Sequence, residues 1–151
     1  MMKKILLNIF LIVFGILVST CSVNLSEKDL DKLNIKIVDV QSWLNLMPGG
    51  PGSFHISGKY ELPEDLDEKE IYLDKIIVLD NEKEIYNLTA EIQFISNSPK
   101  GIKEITFSNY YQTKIEKILM QKENIDVRLV FSINDNLIPK DFKSIQLTRA
   151  Y

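Results

Sequence analysis

One stretch gathers the residue types best suited to chemistry. Trp43-Leu44-Asn45-Leu46-Met47-Pro48-Gly49-Gly50-Pro51-Gly52-Ser53-Phe54-His55 carries the sole tryptophan and the sole histidine around a Pro/Gly segment. Three arrangements suit it. As a plain connection between the first two strands, it follows an irregular path because Gly admits positive φ and Pro fixes φ, with Trp43 capping a core. As a binding surface, a stiff loop presents Trp43, Met47, Pro48 and His55 to a partner or ligand. As a soft-metal site, the Met47 thioether and the His55 imidazole suit copper, although two ligands need help from elsewhere.

Other chemistries fit less well. Ser53 and Ser57 each stand two positions from His55, so a Ser–His contact is conceivable. However, no Gly-x-Ser-x-Gly elbow is present and no orienting acid is evident; no catalytic residue is assigned. Gly49-Gly50-Pro51-Gly52 leads into an alternating run, not into a helix with Lys-Ser/Thr, so it is no phosphate loop. The acidic run Glu64-Asp65-Leu66-Asp67-Glu68-Lys69-Glu70 lacks the EF-hand spacing and its glycine, and reads as a solvated loop. No cofactor and no metal centre is implied.

The lone cysteine, Cys21, has a different context. Met1-Met2-Lys3-Lys4 forms a short positive start, and Ile5 to Val18 is apolar except for Asn8 and Gly15. Those 14 residues rise about 21 Å as a helix, short of the roughly 30 Å hydrocarbon core, which fits a signal-peptide core better than a permanent span. The run ends in Leu17-Val18-Ser19-Thr20-Cys21, which resembles the lipobox of bacterial lipoproteins. Val18, Ser19 and Cys21 match that pattern; Thr20 stands where Gly, Ala or Ser is usual. The resemblance covers residues 1–21 only. It implies cleavage before Cys21, a diacylglyceryl group on its thiol and acylation of the new amine. Two or three chains at about 0.8 kcal/mol per buried methylene hold firmly to a membrane. It also implies a cell-envelope location. By analogy with Gram-negative sorting, Ser22 after the cysteine points to the outer membrane, facing the periplasm or the cell surface.

Charge narrows the partners. Lys3 and Lys4 leave with the leader, so a net charge of −3 becomes −5, with only Arg128 and Arg149 as arginines. Nucleic-acid binders need clustered cations, so that class is excluded, and adhesion to anionic lipid by charge is disfavoured. One cysteine cannot form an internal disulfide, so an apolar core must hold the fold.

The elements follow from period-two patterns. Phe54, Ile56, Gly58, Tyr60 and Leu62 alternate with polar neighbours. So do Tyr86, Leu88, Ala90, Ile92 and Phe94; Ile125, Val127, Leu129, Phe131 and Ile133; and Ile145, Leu147 and Tyr151. Weaker strands lie at 34–40, 71–79 and 102–107, the middle one apolar on both faces around Ile76-Ile77-Val78-Leu79. Tight turns are expected at 80–83 and 134–136, where Asn and Asp tolerate left-handed backbone. Tyr111, Ile115, Ile118 and Leu119 recur on one helical face, predicting a short helix at 110–121. The expected organisation is a leader at 1–20, lipidated Cys21 with a tether over 21–33, and a domain at 34–151. Leu25, Leu30 and Leu33 give the tether the option of a short amphipathic helix. The expected fold is all-β: an immunoglobulin-like sandwich of about seven antiparallel strands with one short helix. The functional expectation is a membrane-anchored, non-enzymatic domain that binds or scaffolds an envelope protein or glycan; the alternative is a carrier of a small ligand or copper in the periplasm.

Overall fold

Alternating apolar residues need a second surface to bury them, and here the chain supplies it by curling one sheet over on itself. The computed structural model describes residues 26–96, 98–110 and 113–151. In chain order they form helix α1 (Glu27–Lys32) and strands β1 (Lys36–Asn45), β2 (Ser53–Pro63), β3 (Ile71–Asp80), β4 (Lys83–Thr89), β5 (Glu91–Phe94), β6 (Ile102–Ser108), β7 (Asn124–Ile133) and β8 (Asn136–Ala150), with a 3-10 turn at Lys117–Gln121 before β7. The strand order is β4-β3-β7-β8-β1-β2-β6-β5. The fold is thus predominantly β, an eight-stranded mixed sheet. All neighbours are antiparallel except β1 and β8, which run parallel from Ser42↔Leu147 to Asn45↔Ala150. The expectation of antiparallel pairing throughout fails at that pair.

Two corners shape the curl. β8 is the first: its early residues pair with β7 and its last four with β1. Ser144, in the irregularity that interrupts the β7 pairing between Phe142 and Ile145 just before the switch to β1, has φ 56°, and its N–H donates to Asp126 Oδ1 at 3.0 Å. Ala90 is the second. It alone separates β4, which pairs with β3, from β5, which pairs with β6. The expected single run from Tyr86 to Phe94 is therefore two strands, one on each half of the sheet.

The turn chemistry is as the residues dictate. Asn81 and Glu82 (φ 49° and 67°) join β3 to β4, and Asn134 and Asp135 (φ 47° and 63°) join β7 to β8. Two consecutive positive φ values match the twist of a tight hairpin. The 110–121 helix is shorter than expected: only Lys117–Gln121 is helical, in 3-10 form with Leu119 buried, and Tyr111 lies outside the described residues. At the other end, 26–33 is not an extended tether. Asp29 accepts the Ser26 backbone N–H at 2.6 Å, α1 follows, and Leu30 is wholly buried in the core. Lys140 of β8 pairs with Glu27 and Asp31 of α1. Leu33 packs partly buried against the same core, whereas Cys21 and Leu25 lie outside the described residues.

The core runs between the two halves. Tyr60 of β2 meets Phe131 of β7 edge-on, centroids 5.3 Å apart, and Phe54 of β2 stacks on Tyr86 of β4 at 4.9 Å. The Tyr60 hydroxyl is buried and meets no partner in hydrogen-bond geometry among the described residues. Burial pushes its pKa up to about 12, the Leu73 backbone offsetting only part of that shift. An orphaned buried hydroxyl is destabilising, so Tyr60→Phe is expected to raise stability by about 1 kcal/mol in urea unfolding. The folded phenol ionises later than the unfolded one, so its contribution is complete below pH 10 and is lost as pH rises toward 12. A difference titration of phenolate absorbance, wild type minus Tyr60→Phe, should show a single late component at that pH. A midpoint near 10 would contradict the burial.

Candidate functional site

The residues singled out from the sequence sit on and beyond the β1–β2 hairpin. β1 continues well past position 40, because Asp39, Gln41, Trp43 and Asn45 keep alternating with Val40, Ser42 and Leu44. Ser42 and Leu44 are buried, the others exposed or half-buried. The connection is therefore 46–52, and Trp43 and His55 are not loop residues. They face each other as a cross-strand pair with rings stacked, centroids 5.0 Å apart and planes 8° from parallel. Ser53 Oγ lies 2.7 Å from His55 Nε2, so the i, i+2 contact forms.

Burial holds the His55 pKa below its ordinary 6.5. A half-buried imidazole kept neutral stacks on indole without desolvating a charge. The unfolded chain takes up the proton near pH 6.5 and the folded chain only at lower pH. Stability from this group is therefore present above 6.5 and is lost as pH falls through the folded value. With one histidine in the chain, a proton NMR titration reads it directly. We expect a wild-type midpoint below 6.5, moving upward in Trp43→Ala as water reaches the ring. An unchanged midpoint would show that the indole does not shield it.

Met47 and Pro48 are placed differently. Both are exposed, and they line a shallow depression of the loop together with Asn45, Gly50 and Ser53. The loop is anchored at both ends. Met47 N–H donates to Asn45 Oδ1 at 3.2 Å, and Leu46 N–H to the Ala150 carbonyl at 2.7 Å. Gly52, at φ +73°, passes so close that a Cβ would lie 3.1 Å from both the Asn45 carbonyl and Ile115 Cδ1. The four candidates thus divide into a stacked pair on the sheet and two loop residues. The metal alternative gains no donor set from this division, since His55 Nε2 is engaged by Ser53. Among the described residues, no group of three or more His, Cys, Asp or Glu side chains could hold a metal ion.

Two features were not anticipated. The first is Asn109, buried just after β6. Its Oδ1 accepts Ile56 N–H at 2.8 Å. Its Nδ2 donates to the Phe54 carbonyl at 3.0 Å and to Thr113 Oγ1 at 2.7 Å. Asn109 continues the β2–β6 ladder with side-chain atoms, fixing the strand that carries His55. Only its place at the end of an alternating run hinted at this. The second is the outward face of β1, β2, β6 and β5, where an open depression of about 560 Å³ is lined by Gln41, Ser57, Lys59, Gln93, Thr106 and Ser108 among others. Gln41 precedes Trp43 by two positions and Ser57 follows His55 by two, so the depression adjoins the stacked rings on one face.

Comparison with protein-family models finds none that matches the chain, and comparison with curated proteins finds no similar sequence. The geometry of the site is therefore what bears on function.

Proposed function

We propose that this chain is a lipoprotein of the cell envelope, held at a membrane by acyl groups on Cys21, whose β domain binds or scaffolds another envelope component without catalysing a reaction. The observation that carries the reading is the polarity of the molecule along β1. α1 lies beside the start of that strand, and the Trp43–His55 pair and the 46–52 loop lie at its far end. Ten residues of strand put roughly 30 Å between those ends. An anchor five residues before Ser26 therefore secures one end and leaves the aromatic pair turned away from the bilayer. In this reading the two halves of the curled sheet are the layers of an immunoglobulin-like sandwich, supported by the Phe54–Tyr86 and Tyr60–Phe131 contacts across the core. An outer-membrane position remains part of the proposal through Ser22.

The test is mass spectrometry of the native protein with detergent phase partitioning. The expected product begins at Cys21, carries acyl mass on the thiol and enters the detergent phase. Cys21→Ser should retain its leader and lose the acyl mass. A native protein with an intact leader, or with an unmodified thiol, overturns the reading.

A further inference from the structure

We infer that the outward face of β1, β2, β6 and β5 binds a neutral or N-acetylated oligosaccharide, with Gln41, Ser57, Thr106 and Gln93 as its floor and the Trp43–His55 stack beside it. The inference rests on the binding-module reading above and names the chemistry of the partner. A pyranose ring presents polarised C–H bonds on its faces and hydroxyl or acetamido groups around its rim. The first meet the negative face of an aromatic ring; the second need donors and acceptors together, which amides and hydroxyls supply and single-sign charges do not.

The face has that composition. Trp43 is only half-buried, and its indole lies parallel to the His55 ring with centroids 5.0 Å apart. Gln41 Nε2 donates to Asp39 Oδ2 at 2.6 Å, which fixes the amide. Thr106 Oγ1 donates to the Gln93 carbonyl at 3.3 Å, tying two floor residues together. Charge excludes acidic ligands. The lysine that lines this depression, Lys59, is paired with Glu104 at 3.0 Å, and Asp39 and Glu91 line it as well. A uronate, phosphate or nucleic acid would meet carboxylates and no unpaired cation there. The extra residue at Val38, where the β1–β2 register slips between Ile37 and Asp39, bends the edge of this face, as bulges do. Spanning four strands at about 4.8 Å each, the depression suits a short oligomer.

The experiment uses the full chain in detergent micelles and follows the emission of Trp43, the one indole present. The probes are the β-1,4-linked tetramer of N-acetylglucosamine and, as the acidic counterpart, tetragalacturonate. The expected result is a saturable change with the first and none with the second. Gln41→Ala with Gln93→Ala should weaken binding by about tenfold or more through lost hydrogen bonds, with the melting curve unchanged. Arg128→Ala on β7, outside this face, should leave the titration as in wild type. No response to the tetramer, an equal response to the uronate, or an affinity indifferent to the double variant overturns the inference. Crosslinking in native envelopes separates the two readings. A specific unglycosylated protein neighbour with no sugar response overturns the oligosaccharide alone; no partner of any kind overturns the binding module as well.

Discussion

Gly58→Ala is expected to lower folding stability by about 3 kcal/mol or more, the upper part of the range for overpacking. Gly58 sits in β2 opposite Val40 of β1 and Phe107 of β6. A Cβ there would overlap both the backbone carbonyl of Asp39 and the ring of Phe107 at Cζ. The ring could turn aside, but the carbonyl belongs to the bulged stretch of β1 and cannot move without shifting the pairing beside it. Urea unfolding of three variants separates the two obstacles. Phe107→Leu alone should cost about 1–2 kcal/mol, a large-to-small core change that leaves a small void. Combined with Gly58→Ala, it should recover only part of the alanine penalty, because the Asp39 overlap persists. Full recovery would mean that the ring was the whole obstacle; an alanine variant as stable as wild type would mean that the close approach is absent.

Asn109→Ala should cost about 3–4 kcal/mol, since it leaves the Ile56 N–H and the Phe54 carbonyl buried without their partners. Asn109→Asp is the sharper probe. It keeps an acceptor for Ile56 N–H but sets a carboxylate oxygen against the Phe54 carbonyl, so it should rescue little. Because β2 also carries His55, the variants should perturb the histidine resonance and the Trp43 emission together before global unfolding. A loss of stability well under 1 kcal/mol in Asn109→Ala, or an unchanged histidine signal, would show that the network does not hold this strand.

Much of the β architecture was legible because burial and alternation coincide. In β2, Phe54, Ile56, Tyr60 and Leu62 are all wholly buried, and the period-two pattern reads off directly. The extension of β1 past position 40 is masked in the sequence, because Trp43 reads as a loop aromatic when Met47-Pro48-Gly49-Gly50 follows it. The outward tryptophan lies on the polar face of a strand, where composition gives no warning. β8 was hidden in its first half because Pro139, Lys140 and Asp141 interrupt the alternation. Its long pairing with β7 compensates through backbone hydrogen bonds and the bidentate Arg128–Asp141 pair at 2.6 and 2.9 Å. The split at Ala90 could not be foreseen, since one residue changing partner strands leaves no mark in hydropathy. Of the site, the aromatic pair was visible as composition but not as geometry: only the hairpin register sets the two rings face to face. Asn109 was missed because a polar residue after a strand reads as a loop.

The strand shared by both halves also governs when the molecule can assemble. Ser42 donates through Oγ to the Gln146 carbonyl, 104 positions away, so β1 has no neighbour on its second side until that distant segment arrives. Contacts of such sequence separation slow folding. During that interval β1 presents an open row of amides and carbonyls, the arrangement most prone to capture a strand from another molecule. The protein's most hazardous moment is therefore its own completion: a point change that delays docking of residues 136–150 should show first as aggregation during refolding, at a protein concentration where the finished fold stays monodisperse.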